Sequence, residues 1–356
     1  MKETFLKLVS VGAPSGFEEP MIKVLKTELE PYVDEVYDTP RGNVIGIKKG
    51  VNPDSPSVAL VAHIDQVGLV VQNIDENGFI WFKRIGGAST RAILAQQVLL
   101  ITDKGPVPGV VGIKPGHVTK PEEAFLVPQV EEMYIDVGVF SKEEVESMGV
   151  TIGTPVVFGS KPLELANDLI SSPAVDDRAG VTILVEVAKA LAKVNIPSTI
   201  YYVGAVEEEI GLRGAGVALF DLDVDIAIAI DTTPAGVQPD VNMRELIYEV
   251  GKGPVIHIGE FGVRGIRVHH HKIRKWIIDS AKTEELEYQS AFMHGGTDAD
   301  ALAQTNAGLP ALAVGIPRRY SHSPVELFSL KDMEKLAKIL VAALKSLDEG
   351  FNPHRV

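Results

Sequence analysis

Four short apolar runs along the chain predict β-strands that are buried on both faces. They lack the polar residue at every second position that marks a strand with one solvent-facing side. The runs occupy residues 57–62, 199–206, 225–230 and 310–316. Strands of this kind need covering layers on both sides, so the chain predicts an α/β fold.

Predicted helices alternate with these strands. Residues 179–194 and 331–347 carry apolar side chains at helical spacing, and Ser329 stands where the second of these helices would be capped. The first eleven residues predict a short amphipathic helix. We therefore expect a sheet whose two faces are both covered by helices.

A middle segment of the chain follows a different pattern. Turn signals such as Asn77-Gly78 and Pro115-Gly116 recur there, and only residues 141–148 predict a helix, which is short. We expect a small β-rich domain, inserted between the first buried strand and the helix that begins near Asp176. The predicted division is residues 1–67 for the first part of the α/β domain, 68–163 for an inserted β-barrel-like domain, and 164–356 for the second part.

The composition fits a folded chain of this size. Of the 356 residues, 45% are hydrophobic and 23% are charged, which are ordinary values for globular proteins. No apolar run approaches the ~18 residues of a membrane span, so we expect no membrane partner and take the cytoplasm as the location. The chain has no cysteine, which excludes disulfides, thiolate nucleophiles and cysteine-bound metals.

The net charge of −14 argues against nucleic-acid partners, because this field repels a phosphate backbone. The densest basic stretch runs from Arg264 to Lys275 and includes His269, His270 and His271. We interpret it as a solvated helix start, a basic loop or a subunit contact. A metal cluster is not our interpretation, since no acidic partners lie nearby in the sequence.

Polar side chains follow each of the four buried strands. In an open α/β sheet, ligands bind at the carboxyl ends of the strands, so we expect these side chains to form one site. Imidazoles and carboxylates without thiolates suit Zn²⁺, Co²⁺ or Mn²⁺. The pattern alone does not choose among the three consecutive glutamates. An acidic pair at the start of the long helix joins these strand-end residues. The residues concerned are His63, Asp65, Asp176, Asp177, Glu207, Glu208, Glu209, Asp231 and His322.

A series of motifs runs along essentially the whole chain. They are APSGFE (residues 13–18), AHIDQVG (62–68), VDDRAG (175–180), EEIGLRGA (208–215), AID (229–231), GGTDA (295–299) and RYSHSPVE (319–326). In these motifs and their order the chain resembles the tetrahedral, or glutamyl and deblocking, aminopeptidases. These are dinuclear metallopeptidases, and some members have been labelled endoglucanases. The resemblance implies a mixed central sheet of the zinc aminopeptidase type.

The resemblance also implies a role for each site residue. Asp176 would bridge two divalent metal ions, with Zn or Co expected and Mn as another option. His63 and Asp231 would complete one ion, and Glu209 and His322 the other. Glu208 would be the general base, and Asp65 would orient the ring of His63. Peptides would be the substrates, and the chain would assemble as a homo-oligomer, either a dodecamer or a smaller precursor of that assembly.

Some positions depart from the family pattern or stay open. Gln66 stands where the family usually has Glu, and Glu207 adds a carboxylate that either raises the local acidity or faces away. His117 could reach the site or a neighbouring subunit. No phosphate-binding loop or dinucleotide fingerprint occurs. Two other functions remain: a glycoside hydrolase that uses paired carboxylates, and a non-catalytic oligomeric shell.

Overall fold

The computed structural model describes residues 1–242, 244–262 and 265–355. Met243, Val263, Arg264 and Val356 therefore lie outside the described residues, and with them one end of the basic stretch. Within the described ranges, the α-helices are α1 (Lys2–Val9), α2 (Glu19–Leu29), α3 (Thr90–Ile93), α4 (Lys142–Ser147), α5 (Val175–Leu191), α6 (Ala215–Ala218), α7 (His271–Thr283), α8 (Asp298–Leu302) and α9 (Leu330–Ser346).

The strands fall into three groups. The central sheet contains β1 (Glu35–Asp38), β2 (Val44–Lys48), β3 (Val58–His63), β10 (Leu163–Glu164), β11 (Leu169–Ser172), β12 (Ile200–Ala205), β13 (Ile226–Pro234), β14 (Val255–Ile256), β18 (Ala311–Arg319) and β19 (Glu326–Ser329). A closed barrel contains β4 (Gly68–Ile74), β5 (Ile80–Ile85), β6 (Gln97–Thr102), β7 (Gly105–Val111), β8 (Tyr134–Asp136) and β9 (Pro155–Phe158). A small sheet contains β15 (Gly259–Gly262), β16 (Gly265–Val268) and β17 (Phe292–His294).

The central sheet is mixed, and its middle is parallel. The strand order is β1-β2-β12-β3-β13-β18-β19-β11-β10, with β14 beside β18. The four strands β12, β3, β13 and β18 run parallel to one another. β2 and β19 flank this group and are antiparallel to it. α5 packs on one face, and α6 and α8 pack on the other. The predicted α/β fold class, with helices on both faces, is confirmed.

The apolar runs alternate in side-chain size. In β3, Leu60 faces the core under α5, while Ala59 and Val61 face the core under α6 and α8. In β13, Ile228 faces the first core and Ala229 the second. Side chains of successive strand residues point to opposite faces, so the smaller residues let the short helices approach closely. Each strand is thus apolar throughout but still has two distinct faces.

The barrel occupies the β-rich middle segment. Its strands follow the order β4-β5-β8-β7-β6-β9 and enclose a separate apolar core that includes Phe82, Leu100 and Ile135. Ser141 caps the short helix α4, because its side chain accepts a hydrogen bond from the Glu144 N–H. The barrel strands run from residue 68 to residue 158, while the division of the chain into domains at 67/68 and 163/164 stays a prediction.

α5 begins at Val175, next to the predicted start near Asp176, although Asp176 and Asp177 in its first turn have non-helical backbone angles. Two other local expectations need correction. Ser329 precedes α9 but makes no capping hydrogen bond. The basic stretch is not wholly solvated: the imidazoles of His269 and His270 are buried, at 4% and 7% exposure.

The core under α5 generates a stability prediction. Phe328 in β19 is fully buried, and its ring centroid lies 4.8 Å from that of Phe5. Because truncation leaves a cavity as well as losing apolar burial, Phe328→Ala should lower the free energy of unfolding by about 3–5 kcal/mol. Urea denaturation measures this loss. Val51→Ala, at a side chain 65% exposed, should change it by less than about 0.5 kcal/mol, and equal losses would contradict the packing described.

Candidate metal-binding active site

The ends of the buried strands bring the predicted site residues to one edge of the sheet. His63 is the last residue of β3, and Asp231 lies in the neighbouring parallel strand β13. Asp176 opens α5, and its peptide bond to Asp177 is cis. The glutamates follow β12, and His322 follows β18. All of these elements meet at the carboxyl edge of the sheet, where α/β proteins bind their ligands.

Two groups of potential ligands share Asp176. In the first group, His63 Nε2 lies 3.0 Å from Asp176 Oδ1 and 3.9 Å from Asp231 Oδ1. In the second group, His322 Nε2 lies 3.3 Å from Asp176 Oδ2 and 3.5 Å from Glu209 Oε2. The ligand atoms of each group all lie within 4.8 Å of one another. One carboxylate thus presents a different oxygen to each group.

The three consecutive glutamates separate in space. Glu208 forms a further group with His63 and Glu209, whose ligand atoms also lie within 4.8 Å of one another. Glu207 has a left-handed backbone, with φ of +54°, and its carboxylate forms an ion pair with Arg41. Glu207 therefore turns away, and the alternative that it adds to the acidity of the cluster is wrong.

Asp65 contacts more of the site than the resemblance implies. Its Oδ1 lies 3.3 Å from His63 Nδ1 and accepts a hydrogen bond from the Glu208 N–H at 3.0 Å. Its Oδ2 accepts the Glu209 N–H at 3.2 Å and the Ser15 hydroxyl at 2.6 Å. Asp65 therefore fixes the histidine ring and the turn that carries both glutamates.

Two buried residues join the cluster without having been predicted to do so. Arg318, near the end of β18, forms ion pairs with Asp176 and Glu326. Glu326 also accepts the His322 N–H at 2.7 Å and the Asp176 N–H at 3.1 Å. Both residues stand beside the His322 motif in the sequence. Nothing in that pattern separates a buried arginine from a surface one.

The barrel side of the molecule also touches the site. The Gly87 carbonyl lies 3.1 Å from His322 Nδ1, and the Ser89 N–H donates a hydrogen bond to the His322 carbonyl at 3.0 Å. A Cβ atom at Gly87 would lie 2.7 Å from His322 Nδ1, so no other residue fits there without displacing the ring. Gly87 follows β5, so the barrel segment helps to orient His322.

Gln66 has a structural role that does not need a negative charge. Its Oε1 accepts a hydrogen bond from Nη2 of the buried Arg178 at 3.0 Å, and Arg178 Nη1 donates to the Ile64 carbonyl at 2.6 Å. Asp177, the second acid of its pair, accepts the Gly180 N–H and belongs to none of the ligand groups. The first acid, Asp176, is the one that faces the cluster.

Other histidines lie outside the cluster. His117, in a short 3₁₀ turn, is exposed. Across the described part of the chain, the groups that could hold a metal ion include neither His117 nor His269, His270 and His271. The interpretation of the histidine run as something other than a metal cluster stays a prediction.

Burial and mutual repulsion perturb the carboxyl groups of the cluster. Burial raises the pKa of Glu208 and of Asp231 well above their ordinary values, and neighbouring carboxylates act in the same direction. Burial and Asp176 raise the pKa of Glu209 to about 7. Asp176 differs: burial opposes its ionisation, but the Arg318 guanidinium and the two histidines hold its pKa well below the ordinary range.

The histidines respond in the opposite sense to the same charges. Burial alone would lower the pKa of His63, but the carboxylates of Glu208 and Asp176 outweigh it and raise that pKa well above its ordinary value. The hydrogen bond to Asp176 and the charge of Glu209 likewise raise the pKa of His322 to about 9. In the absence of other cations, protons compensate the negative charge of the cluster.

The donor set fits divalent metal ions. Glu209 Oε1 is buried and has no hydrogen-bond partner among the residues that the structure describes. Such an oxygen is costly to bury unless a cation or a proton compensates it. The cluster opens into a cavity of about 520 Å³, whose walls include Asp176, Glu208, Glu209, Asp231 and His322. Nitrogen and oxygen ligands of this kind suit zinc and its neighbours in the transition series.

The sequence profile of the M42 glutamyl aminopeptidase family matches residues 42–339 of this chain. The chain belongs to the M42 glutamyl aminopeptidase family. It is thus an enzyme of the aminopeptidase class, as its motifs predict. Lysyl aminopeptidase of Pyrococcus furiosus is 35% identical over 358 residues, which covers 99% of this chain and 99% of that protein.

Solved structures of M42 relatives superpose on nearly the whole chain. An aminopeptidase from the archaeon Desulfurococcus kamchatkensis matches with a TM-score of 0.92 and 35% identity, covering 98% of this chain and 95% of the other. The TET1 peptidase of Pyrococcus horikoshii, which can assemble into a tetrahedron or a large octahedral shell, matches with a TM-score of 0.86 and 28% identity. That match covers 97% of this chain and 99% of the other.

Among residues 1–242, 244–262 and 265–355, no helix combines the length and the apolar character that crossing a membrane requires.

The perturbed groups predict how the stability of metal-free protein depends on pH. Burial raises the pKa of Glu18, Glu209 and Glu260 from 4.5 to about 7, so the folded chain binds more protons than the unfolded chain between these values. Stability must then fall as the pH rises through this window. His322, raised from 6.5 to about 9, extends the fall to higher pH. Thermal unfolding in chelator should show a midpoint that decreases from about pH 5 to about pH 9.

A divalent ion is the control for this prediction. Because the ion replaces protons in the cluster, saturating Zn²⁺ or Co²⁺ should raise the midpoint more at high pH than at low pH. A midpoint that rises with pH in chelator would contradict the assignment of these carboxyl groups as protonated.

Proposed function

We propose that this chain is a metal-dependent aminopeptidase that removes N-terminal residues from peptides, using a water molecule activated by two divalent ions. The observation that carries the proposal is the position of Asp176, which belongs to two ligand groups through different oxygens. Two ions at close distance need such a shared carboxylate to offset their mutual repulsion. Zn or Co are the ions we expect, with Mn as another option.

The proposed ligands follow the two groups. His63, Asp176 and Asp231 would hold one ion, and Asp176, Glu209 and His322 the other. Asp65 supports both sets through His63 and through the backbone of Glu209. Contacts from a supporting carboxylate to a ligating histidine fix the orientation of the ring and raise its basicity.

Glu208 is the proposed general base. When bound, the two ions would lower the pKa of a water molecule and polarise the scissile carbonyl. Glu208 lines the same cavity and is not needed to complete either of the two groups that share Asp176. It would accept a proton from the attacking water and transfer it to the leaving amine. Burial raises its pKa above the ordinary value, the direction that makes a carboxylate a stronger proton acceptor.

The charge of the cavity walls also suits the N-terminus of a peptide substrate. Carboxylates dominate the charged groups of these walls, and Arg318 is already paired with Asp176 and Glu326. Glu208 stands outside the two ligand groups that share Asp176, so its carboxylate keeps a negative charge beside the bound ions that can attract the protonated amino group of a peptide. This charge favours substrates with a free N-terminus over blocked peptides.

Hydrolysis of a panel of aminoacyl-p-nitroanilides tests the proposal. Chelated protein should be inactive, and addition of Co²⁺, Zn²⁺ or Mn²⁺ should restore cleavage and show the preferred residue. Glu208→Gln should lower kcat by at least about 100-fold, because the proton acceptor is lost. Glu207→Gln is the matched control, since that neighbour turns away from the cluster and should retain nearly full activity.

The same experiment separates the two other functions. Chelator-resistant cleavage of carboxymethylcellulose, without peptide hydrolysis, would favour a glycoside hydrolase, which needs no metal. Folded, assembled and metal-loaded protein that cleaves neither substrate would favour a non-catalytic shell. Full activity of Glu208→Gln would refute the assignment of the base alone.

Self-association is the second part of the proposal, with a dodecamer as the assembly. The loop after β7 exposes five apolar side chains, which we call the apolar loop, and Phe125 is 95% exposed. Exposed apolar surface of this kind is typical of protein contacts. A solved TET1 peptidase structure that is 28% identical to this chain contains a dodecamer, which supports the number of copies. The residues of the apolar loop are Ile113, Val118, Phe125, Leu126 and Val127.

Light scattering after size exclusion checks the assembly. The wild-type protein should have about twelve times the 38.4 kDa mass of the chain. Phe125→Ser with Leu126→Ser should shift the population toward smaller species, because apolar contact area is lost. Val51→Ser, at another exposed site, serves as the control. A wild-type monomer would contradict the proposed assembly.

A further inference from the structure

Arg318 places a buried positive charge among the proposed metal ligands. Its side chain is only 3% exposed, and its guanidinium contacts the carboxylates of Asp176 and Glu326. It lines the same cavity as Glu208 and Glu209. The proposed mechanism uses the carboxylates around this guanidinium but gives no task to Arg318.

The guanidinium contacts one particular oxygen of Asp176. Oδ1 of this carboxylate faces His63 Nε2, at 3.0 Å. Oδ2 faces His322 Nε2, at 3.3 Å, and is also the oxygen that pairs with Arg318 Nη2. A carboxylate oxygen has two lone pairs. The hydrogen bond from Arg318 uses one of the two lone pairs of Oδ2, the oxygen that faces His322. Oδ1 contacts His63 Nε2 and has no such competition from Arg318.

The charge of Arg318 acts on Asp231 as well as on Glu209, so the asymmetry between the two groups comes from the oxygen Oδ2 that Arg318 contacts. A guanidinium stays protonated in proteins, so its charge cannot be removed by a change of pH. A cation bound between Asp176, Glu209 and His322 must share Oδ2 with it and is repelled by it. A cation bound between His63, Asp176 and Asp231 shares no ligand oxygen with Arg318. The two positions are called the His322 position and the His63 position below.

We propose that Arg318 makes the two metal positions unequal by weakening metal binding at the His322 position. The inference rests on the two-ion site of the proposed function. The ion at the His63 position is then the tightly held one, and the ion at the His322 position is the one that exchanges. Arg318 is a positioning residue in this role, since it acts through the oxygen of Asp176.

Glu326 determines how the inference can be tested. It pairs with Arg318 and accepts the N–H groups of both His322 and Asp176. Removing Arg318 alone would leave Glu326 as an uncompensated buried charge, which destabilises proteins strongly. The main variant is therefore Arg318→Met with Glu326→Gln, which removes both charges and keeps an acceptor for the N–H groups. Arg318→Gln with Glu326→Gln is a second variant in case the first double variant does not fold.

Metal binding is measured directly, without activity. Chelated full-length protein is titrated with Zn²⁺, and separately with Co²⁺, in competition with a fluorescent chelator of known affinity. Circular dichroism and light scattering confirm that each variant is folded and assembled. His63→Ala and His322→Ala identify which position each of the two affinities belongs to.

The wild-type chain should bind two ions with unequal affinities, and His322→Ala should remove the weaker one. The double variant should bind that weaker ion about tenfold more tightly or better, while the affinity of the tight ion changes by less than about twofold. Arg318→Lys keeps the positive charge and should keep the affinities unequal. Glu326→Gln alone should do the same, because Arg318 remains.

Several results would overturn the inference. Equal affinities in the wild-type chain would do so, as would a weaker ion that is unaffected by the loss of Arg318. If both affinities fall in the double variant, Arg318 only holds Asp176 in place. Fewer than two ions in the wild-type chain would refute the proposed function as well, so the two failures are distinguishable.

Discussion

The mutual repulsion of buried carboxylates is the constraint on which the structure of the site depends. Strand ends and the first turn of α5 bring Asp176, Glu208, Glu209 and Asp231 into one buried cluster beside two histidines. Like charges at these distances cannot all stay ionised without compensation. The chain supplies one fixed cation, Arg318, and two histidines whose protonation is favoured. The remaining negative charge is what makes divalent cations the natural occupants.

The backbone holds this unfavourable arrangement in place. Asp65 accepts the N–H groups of two glutamates, and Glu326 accepts those of Asp176 and His322. Asp65 therefore fixes the turn that carries both glutamates, and Glu326 fixes two separate backbone segments at once. Hydrogen bonds to charged acceptors are stronger than neutral ones, which lets a short turn keep a defined conformation at the sheet edge.

Much of the fold could be predicted from local pattern. β3 and β12 lie within one residue of the predicted runs, because a fully apolar run can be satisfied only inside the sheet. The start of α5 lies next to the predicted one near Asp176, but the non-helical backbone of Asp176 and Asp177 is not indicated by the apolar spacing. The alternation of large and small residues in β13 carries the information about its two faces.

For the candidate site too, some features could be predicted from the sequence and others could not. Positions after strand ends could be predicted, because topology alone brings them together. The contacts of Arg318, Gly87 and Ser15 could not, since they join segments that are far apart in the sequence and depend on side-chain direction. The direction of Glu207 depends on a left-handed backbone at a residue that is not glycine, which no spacing rule indicates.

The contact between Gly87 and His322 ties two parts of the molecule into one thermodynamic system. The ring of His322 is positioned by the segment that follows β5, so a shift of that segment displaces a proposed ligand. Free-energy coupling between two sites is reciprocal. A ligand that binds at His322 therefore stabilises the barrel segment by the same free energy by which the barrel segment strengthens that binding. A contact made on the barrel segment can in this way change the affinity of the site at the sheet edge.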